Sequence, residues 1–150
     1  MRINWSLKKF DELTPYELYA ALRLRNEVFV VEQNCVFQDA DDKDQESYHF
    51  LGYYQDRLFA YTRLVPPDVI HKEVSIGRVV TSPLVRGTGA GKELMKESIE
   101  RCYQVFGSHP IKIGAQLYLK KFYEGFDFYQ VSEPYLEDGI PHIYMLKIAS

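Results

Sequence analysis

Cysteine is scarce in this sequence: Cys35 and Cys102 are the only two in 150 residues. Two thiols cannot build a disulfide framework, nor supply the four ligands of a structural zinc site. Long apolar runs are missing as well. No stretch approaches the ~18–20 uncharged apolar residues that a membrane span needs, which excludes an integral membrane protein. The opening segment Met1–Ser6 has no long apolar h-region, so no secretory signal is expected and the setting reads as reducing and cytoplasmic. A surplus of positive charge is also absent. Eighteen Lys and Arg stand against 21 Asp and Glu, giving a formal charge of −3, and the basic residues do not cluster. A nucleic-acid partner, which would call for a basic face, is therefore not expected. There is no repeat, no low-complexity tract and no Gly/Ser linker, so residues 1–150 read as a single domain.

Apolar and aromatic residues are plentiful: 46% of the chain is hydrophobic, with 12 Tyr and 9 Phe, which suits a core containing β-structure. Alternation predicts an edge strand over Ile3–Phe10. Thr14-Pro15-Tyr16-Glu17 is a helix start, with a capping hydroxyl, a proline where no N–H is needed and a glutamate three residues on. The apolar stripe that follows predicts a helix to about Val31. The polar stretch Gln33–Glu46 reads as a loop, with a short helical turn. Tyr48–Tyr54 and Leu58–Leu64 are predicted as a β-hairpin. Glu73–Thr81 is a further strand, in which Gly77 suggests a bulge. A helix is expected from Gly89 to Phe106, with Cys102 on its apolar face. Then come a strand at Ile111–Ala115, a helix at Leu117–Glu124, and strands at Phe126–Val131 and Ile143–Ile148. The strand–helix–strand unit from Glu73 to Ala115 should form a right-handed parallel crossover.

Chemistry concentrates in that unit. Between strand and helix lies Arg86-Gly87-Thr88-Gly89-Ala90-Gly91-Lys92. Glycines permit positive φ and close approach of a ligand to the backbone. A helix starting there presents free N–H groups and the positive end of its dipole, a site for a diphosphate. The G-x-x-x-x-G-K-[ST] pattern fails, because Arg86 holds the first glycine position and Glu93 follows Lys92. The G-x-G-x-x-G pattern fails because Lys92 holds its third glycine position. The sequence does satisfy R-x-x-G-x-G through Arg86, Gly89 and Gly91, after the strand ending Val79-Val80-Thr81-Ser82-Pro83.

With Phe122-Tyr123-Glu124 and Phe128 following in order, the chain resembles the GCN5-related N-acetyltransferases over nearly its full length. Leu24-Arg25, the run Val28–Cys35, Ile76-Gly77-Arg78-Val79 and Asp138–Ile143 are similar to the ElaA-like subfamily of that group. The resemblance implies an α/β fold, a three-layer α/β/α sandwich around one mixed, mostly antiparallel sheet with a splayed parallel strand pair. It implies an acetyl-CoA-dependent N-acetyltransferase, using no metal, that passes the acetyl group directly to a primary amine of a small molecule or peptide. The alternative on the same fold is a catalytically silent acyl-CoA-binding sensor. Homodimers are frequent in the superfamily, and an exposed final strand would permit one here.

The resemblance also assigns roles. Backbone groups of Val79, Val80 and Thr81 would pair with the pantetheine arm. Arg86, Gly87, Thr88, Gly89, Ala90, Gly91 and Lys92 would hold the diphosphate. Tyr123 matches the tyrosine that protonates the departing thiolate. Asp127 stands where the family has glycine, and Asp tolerates a left-handed turn better than most residues. The acceptor site would be bounded by Glu32 and Gln33 on one side and by Asp138 and His142 on the other. Candidates for the base are Glu32, His142, His49 and the Asp39–Asp44 cluster.

Arg63 and Arg78 fall on predicted inner strands, where a charge must be paired. They either clamp an acceptor carboxylate or form buried pairs with Glu32 or the aspartate cluster. A calcium loop starting at Asp39 is rejected, because its fifth, sixth and twelfth residues are Lys43, Asp44 and Phe50. The cluster reads as a solvated face or as an electrostatic attractor for cationic amines.

Overall fold

The computed structural model describes residues 2–149. Strand β1 (Asn4–Lys9) leads to helix α1 (Pro15–Arg25), then to the hairpin β2 (Tyr48–Tyr54) and β3 (Arg57–Val65). Strand β4 (Val74–Thr81), helix α2 (Ala90–Phe106) and strand β5 (Ile111–Gln116) follow. Helix α3 (Lys120–Glu124) and strands β6 (Tyr129–Gln130), β7 (Tyr135–Glu137) and β8 (Ile140–Lys147) complete the chain. The strands form one sheet in the order β1-β2-β3-β4-β5-β8-β6, with β7 also paired to β8. Every pairing is antiparallel except β4 with β5.

Alternation along the strands sorts the core into two layers. Leu51, Tyr61 and Val80 pack against Ala21, Leu24 and Val28 of the first helical segment. Their neighbours Phe50 and Ala60 face the other way, onto Leu94, Met95, Ile99 and Cys102 of α2. The buried Thr62 and Ser98 hydroxyls share a 2.7 Å hydrogen bond between β3 and α2, so neither is left unsatisfied. The result is the expected sandwich, a mostly antiparallel sheet with helices on both faces.

The first helix starts as its sequence dictates. Thr14 Oγ1 accepts from the Glu17 amide at 3.1 Å, and Glu17 accepts from the Thr14 amide at 2.8 Å. Beyond Arg25 the helix widens into a π-helical turn over Asn26–Glu32, with Gln33 N donating to Val28 O at 3.1 Å and Cys35 N to Val30 O at 3.0 Å. The run Val28-Phe29-Val30-Val31 crowds an α-helical turn, since β-branched side chains lose χ1 freedom there.

Three expectations change. The strand expected at Phe126–Val131 shrinks to Tyr129–Gln130, because Phe126 and Asp127 donate back to the carbonyls of Tyr123 and Glu124 in the turn that ends α3. The bulge expected at Gly77 lies one residue later. Register slips between Tyr61 and Arg63, and Arg78 carries the positive φ, 51°. The final strand is not exposed, since β5 covers one edge and β6 and β7 the other. It therefore offers no free edge to a second copy.

Candidate active site

The site begins where two strands part. β4 and β5 are in register only at Val74–Ile111 and Ser75–Lys112. Beyond those pairs the bulge at Arg78 bends β4 away, while β4 remains bonded to β3 as far as Thr81. The β5-facing edge of β4 thus has no strand partner from Ile76 onward, and its backbone groups are open to a ligand.

At the far end of β4, Ser82 Oγ accepts from the Leu84 amide at 3.2 Å, opening a single 3₁₀ turn over Pro83–Val85. Gly87 and Gly89 follow with φ of 81° and 88°, conformations that a side chain would strain. α2 starts directly after Gly89, and its first capped amide is Glu93, donating to Gly89 O at 3.1 Å. The N–H groups of Ala90, Gly91 and Lys92 therefore have no helical carbonyl to bond. A Cβ added at Gly77, Gly87, Gly89 or Gly91 would meet nothing within 4 Å, so the strand and the turn both border open space. Arg86, Thr88 and Lys92 are exposed around this turn, Ala90 is buried beneath it, and Val80 faces the α1 layer.

Between the diverging strands lies an open cleft. Ile76, Gly77, Arg78 and Val79 form one wall, and Ile113, Gly114 and Gln116 the other. Tyr123 closes the base of the cleft. It is 5% exposed and wedged edge-on between Phe122 and Phe128. Burial pushes its phenol above the usual tyrosine range, so it carries its proton at neutral pH. Asp127 holds the left-handed turn at φ 70°, and Phe128 N donates to Tyr123 O at 3.3 Å. The aspartate thus takes the conformation that a glycine would supply.

His142, on β8, lines the cleft and is 7% exposed. Its Nδ1 lies 2.7 Å from the Ile140 carbonyl oxygen. A carbonyl only accepts, so Nδ1 carries a hydrogen, which makes Nε2 the nitrogen open to proton exchange. Nε2 points toward Glu137, with Oε2 at 3.5 Å.

Glu32 lies outside the cleft lining. Its carboxylate is gripped by the Arg86 guanidinium, with Nη2 to Oε1 at 2.6 Å and Nη1 on Oε2. The hydrogen bond from Arg86 holds the Glu32 carboxyl below the usual range. Gln33 and Gln116 span the cleft as a reciprocal amide pair at 3.3 and 3.4 Å. Cys35 Sγ donates to the Asp138 carbonyl at 3.1 Å, tying the loop after α1 to the last hairpin.

The aspartate cluster has partners. Arg25 donates to Asp39 at 2.7 Å and to Asp44 at 2.9 Å. Arg63 donates to both Asp41 oxygens at 2.7 and 2.9 Å and to Asp44 at 2.9 Å. Arg78 reaches Asp39 at 2.9 Å and Asp41 at 3.3 Å. Of the two alternatives for Arg63 and Arg78, the buried pairing is the one formed. The cluster is thus mostly an ion-paired scaffold; of its four aspartates, Asp42 alone has no arginine partner among the described residues. His49 belongs to the same scaffold. Its Nε2 donates to the Asp44 carbonyl at 2.9 Å and its Nδ1 accepts from the Tyr61 hydroxyl at 2.7 Å, leaving no atom for catalysis. Cys102 is buried, which pushes its thiol up to about 12.

Glu137 escaped the sequence reading. The signal was Asp138-Gly139, the dipeptide that favours a two-residue hairpin turn, here with φ of 53° and 76°. Recognising that turn would have paired Glu137 with Ile140 and Tyr135 with His142. Among the described residues, no group of three or more His, Cys, Asp or Glu is placed to hold a metal ion, and no helix is long and apolar enough to cross a membrane.

A model of the acetyltransferase (GNAT) domain family matches residues 17–149. Protein ElaA of Escherichia coli (strain K12) is 44% identical over 147 residues, covering 97% of this chain and 96% of ElaA. The crystal structure of Escherichia coli ElaA superposes with a TM-score of 0.91 at 42% identity, covering 97% of this chain and 99% of that one. An acyl-CoA N-acyltransferase from Pseudomonas aeruginosa gives 0.93 at 40% identity over the same shares. With the family match spanning most of the sequence and such identity along almost all of it, the chain belongs to the acetyltransferase (GNAT) family, and acetyl transfer is its chemistry.

Proposed function

We propose that the protein transfers an acetyl group from acetyl-CoA directly to the primary amine of a small molecule or peptide, with Tyr123 as acid and His142 as base. The observation that carries this reading is that both side chains and the unpaired edge of β4 border one cleft. The residues fit the coenzyme. Free amides at Ala90, Gly91 and Lys92, with open space before Gly87 and Gly89, make a cradle for a diphosphate. Lys92, Lys96 and Lys121 surround Phe122 and Phe126 beside that turn, a cationic and aromatic surface suited to a phosphorylated nucleoside end. Acetyl-CoA, when bound, supplies a thioester carbonyl and a thiolate leaving group.

The chain's own groups do the rest. On the edge of β4 turned away from β3, backbone groups around Val79 and Thr81 would pair with the pantetheine arm and polarise the carbonyl, while the Val80 N–H faces β3. Nε2 of His142 takes a proton from the ammonium of the acceptor, freeing the lone pair that forms the new C–N bond. As the C–S bond breaks, the Tyr123 hydroxyl would give its proton to the sulfur, and the second proton lost by the acylated nitrogen would restore the phenol through solvent. Glu32, locked to Arg86 and held acidic, serves the coenzyme loop rather than the base role. A silent acyl-CoA sensor would have no use for a protonated phenol and an imidazole nitrogen on the same cleft. Release of free thiol from acetyl-CoA, followed across a panel of amines, tests the proposal. Amine-dependent release is expected. Tight CoA binding with no such release from any amine would overturn it in favour of the sensor.

A further inference from the structure

The charges around the cleft are unevenly balanced. Its acidic lining residues are Asp39, Glu137 and Asp138; its one arginine or lysine is Arg78. Asp39 is closed by Arg25 and Arg78, and Arg78 is bracketed by Asp39 and Asp41. That leaves Glu137 with no basic partner in the lining except His142, and His142 does not close on it. Nδ1 is committed as donor to the Ile140 carbonyl, so Nε2 is the nitrogen that faces the Glu137 carboxylate, 3.5 Å away. That spacing is longer than an ordinary hydrogen bond, and it leaves room for a charged donor to bridge the two. The ring cannot turn aside, because it is nine-tenths buried and lies against Tyr135, with ring centroids 5.9 Å apart. Beyond this corner Phe29, Phe37 and Ile140 line the cleft alongside the amides of Gln33, Gln38 and Gln116.

Resting on the acetyl-transfer reading above, we infer that Glu137 is a specificity-determining residue. It receives the ammonium of the acceptor beside His142 Nε2 and selects primary amines whose neighbouring group carries no carboxylate. One N–H of the ammonium bonds Glu137 while another faces Nε2, the atom that will take the proton. A carboxylate on the adjacent carbon, as in a free amino acid, would lie against Glu137 with no free cation to receive it. Simple alkyl or arylalkyl amines and the N-terminal amines of peptides share the accepted chemistry.

The experiment uses the full chain and matched pairs: phenethylamine against phenylalanine, and isoamylamine against leucine. A peptide amide with N-terminal phenylalanine forms a third arm. Thiol release should favour each amine over its amino acid by at least tenfold in kcat/KM. The peptide arm identifies the source: rapid use places the acceptor on peptides, and poor use places it among small amines, with either result supporting the class. Glu137→Gln should raise KM for phenethylamine about tenfold, more than it lowers kcat, and Glu137→Lys should shift preference toward phenylalanine. A second readout needs no turnover. Calorimetry of phenethylamine binding to the complex with CoA, which has no acetyl group to give, should show at least tenfold weaker binding in Glu137→Gln. Equal use of amines and amino acids, or unchanged KM and binding in Glu137→Gln, would overturn the inference. If no amine reacts but calorimetry shows the Glu137-dependent preference, the transfer reading fails and the recognition site stands.

Discussion

The guanidinium of Arg86 and the carboxylate of Glu32 meet fork to fork, 54 residues apart in sequence. Arg86 opens the turn that receives the diphosphate, so Glu32 occupies the cation that the coenzyme would otherwise engage. The pair is partly exposed, with 43% of the arginine and 38% of the glutamate side chain accessible. Exposed pairs contribute about 0.2–1 kcal/mol, which sets the size of the competition. Glu32→Gln should therefore tighten CoA binding by about two- to fivefold, read by calorimetry at low salt. The gain should shrink as salt screens the diphosphate. Unchanged or weaker binding would mean that Arg86 does not leave Glu32 for the coenzyme.

Tyr123 offers a cleaner separation of chemistry from binding. Its ring makes edge contacts with Phe122 and Phe128, and loss of the hydroxyl leaves that packing in place. Removing a general acid typically costs about 10²–10⁴ in rate. Tyr123→Phe should lose turnover within that range while CoA affinity and Tm stay near wild type. A rate within about twofold of wild type would remove Tyr123 from the mechanism.

Legibility in the sequence followed the locality of the signal. The capping box at Thr14 and Glu17 and the glycines at 87 and 89 act within a few residues, and both are found where their pattern places them. The parting of β4 from β5 is a property of two strands 30 or more residues apart, so only the family resemblance implied it. Gly77 drew attention as the flexible residue of β4, yet Arg78 takes the strained conformation. Its guanidinium is anchored to Asp39 and Asp41, and that tertiary anchor outweighs the local preference for glycine. The same arginines decided the fate of the acidic loop. Four aspartates in a row of six residues read as a surface feature until the partners on β3, β4 and α1 are known.

Gly89 tests the coenzyme turn without touching the cleft. It caps α2 in a left-handed conformation, with open space in front of it. Gly89→Asp places a carboxylate into that space, facing the spot where the diphosphate would lie. The left-handed backbone adds roughly 1–2 kcal/mol of strain, a fall in Tm of a few degrees. CoA affinity should drop at least a hundredfold, and Gly89→Ala, which adds strain without charge, should drop much less. Normal CoA affinity in the aspartate variant would remove the turn from the binding site.

The arginine–aspartate scaffold predicts how the fold responds to acid. Burial pushes the Asp41 carboxyl up, but the hydrogen bond from Arg63 and the charges of Arg63 and Arg78 outweigh it and bring it down to about 2. The charge of Arg25 likewise overcomes burial at Asp44 and lowers it. A carboxyl whose folded pKa lies below its unfolded one stabilises the fold above the unfolded value and loses that contribution as pH falls through the folded value. For Asp41 the window runs from its ordinary 3.8 down to about 2, with a contribution on the order of 1–3 kcal/mol. His49 adds to the same trend from higher pH. Burial lowers its pKa, so the unfolded chain takes up the proton first and stability begins to fall below ~6.5. Tm should therefore decline gently from pH 7 to 5 and steeply below 4. Asp41→Asn should flatten the steep limb, and His49→Gln the gentle one. Arg63→Met removes one of two arginine partners from each of Asp41 and Asp44, which Arg78 and Arg25 still hold, a loss of about 1–3 kcal/mol, or roughly 2–12 °C in Tm at pH 7. That deficit should narrow below pH 4, where those carboxylates gain protons. Parallel Tm curves for wild type and Arg63→Met across the acid range would show that the ion pairs do not carry the pH dependence.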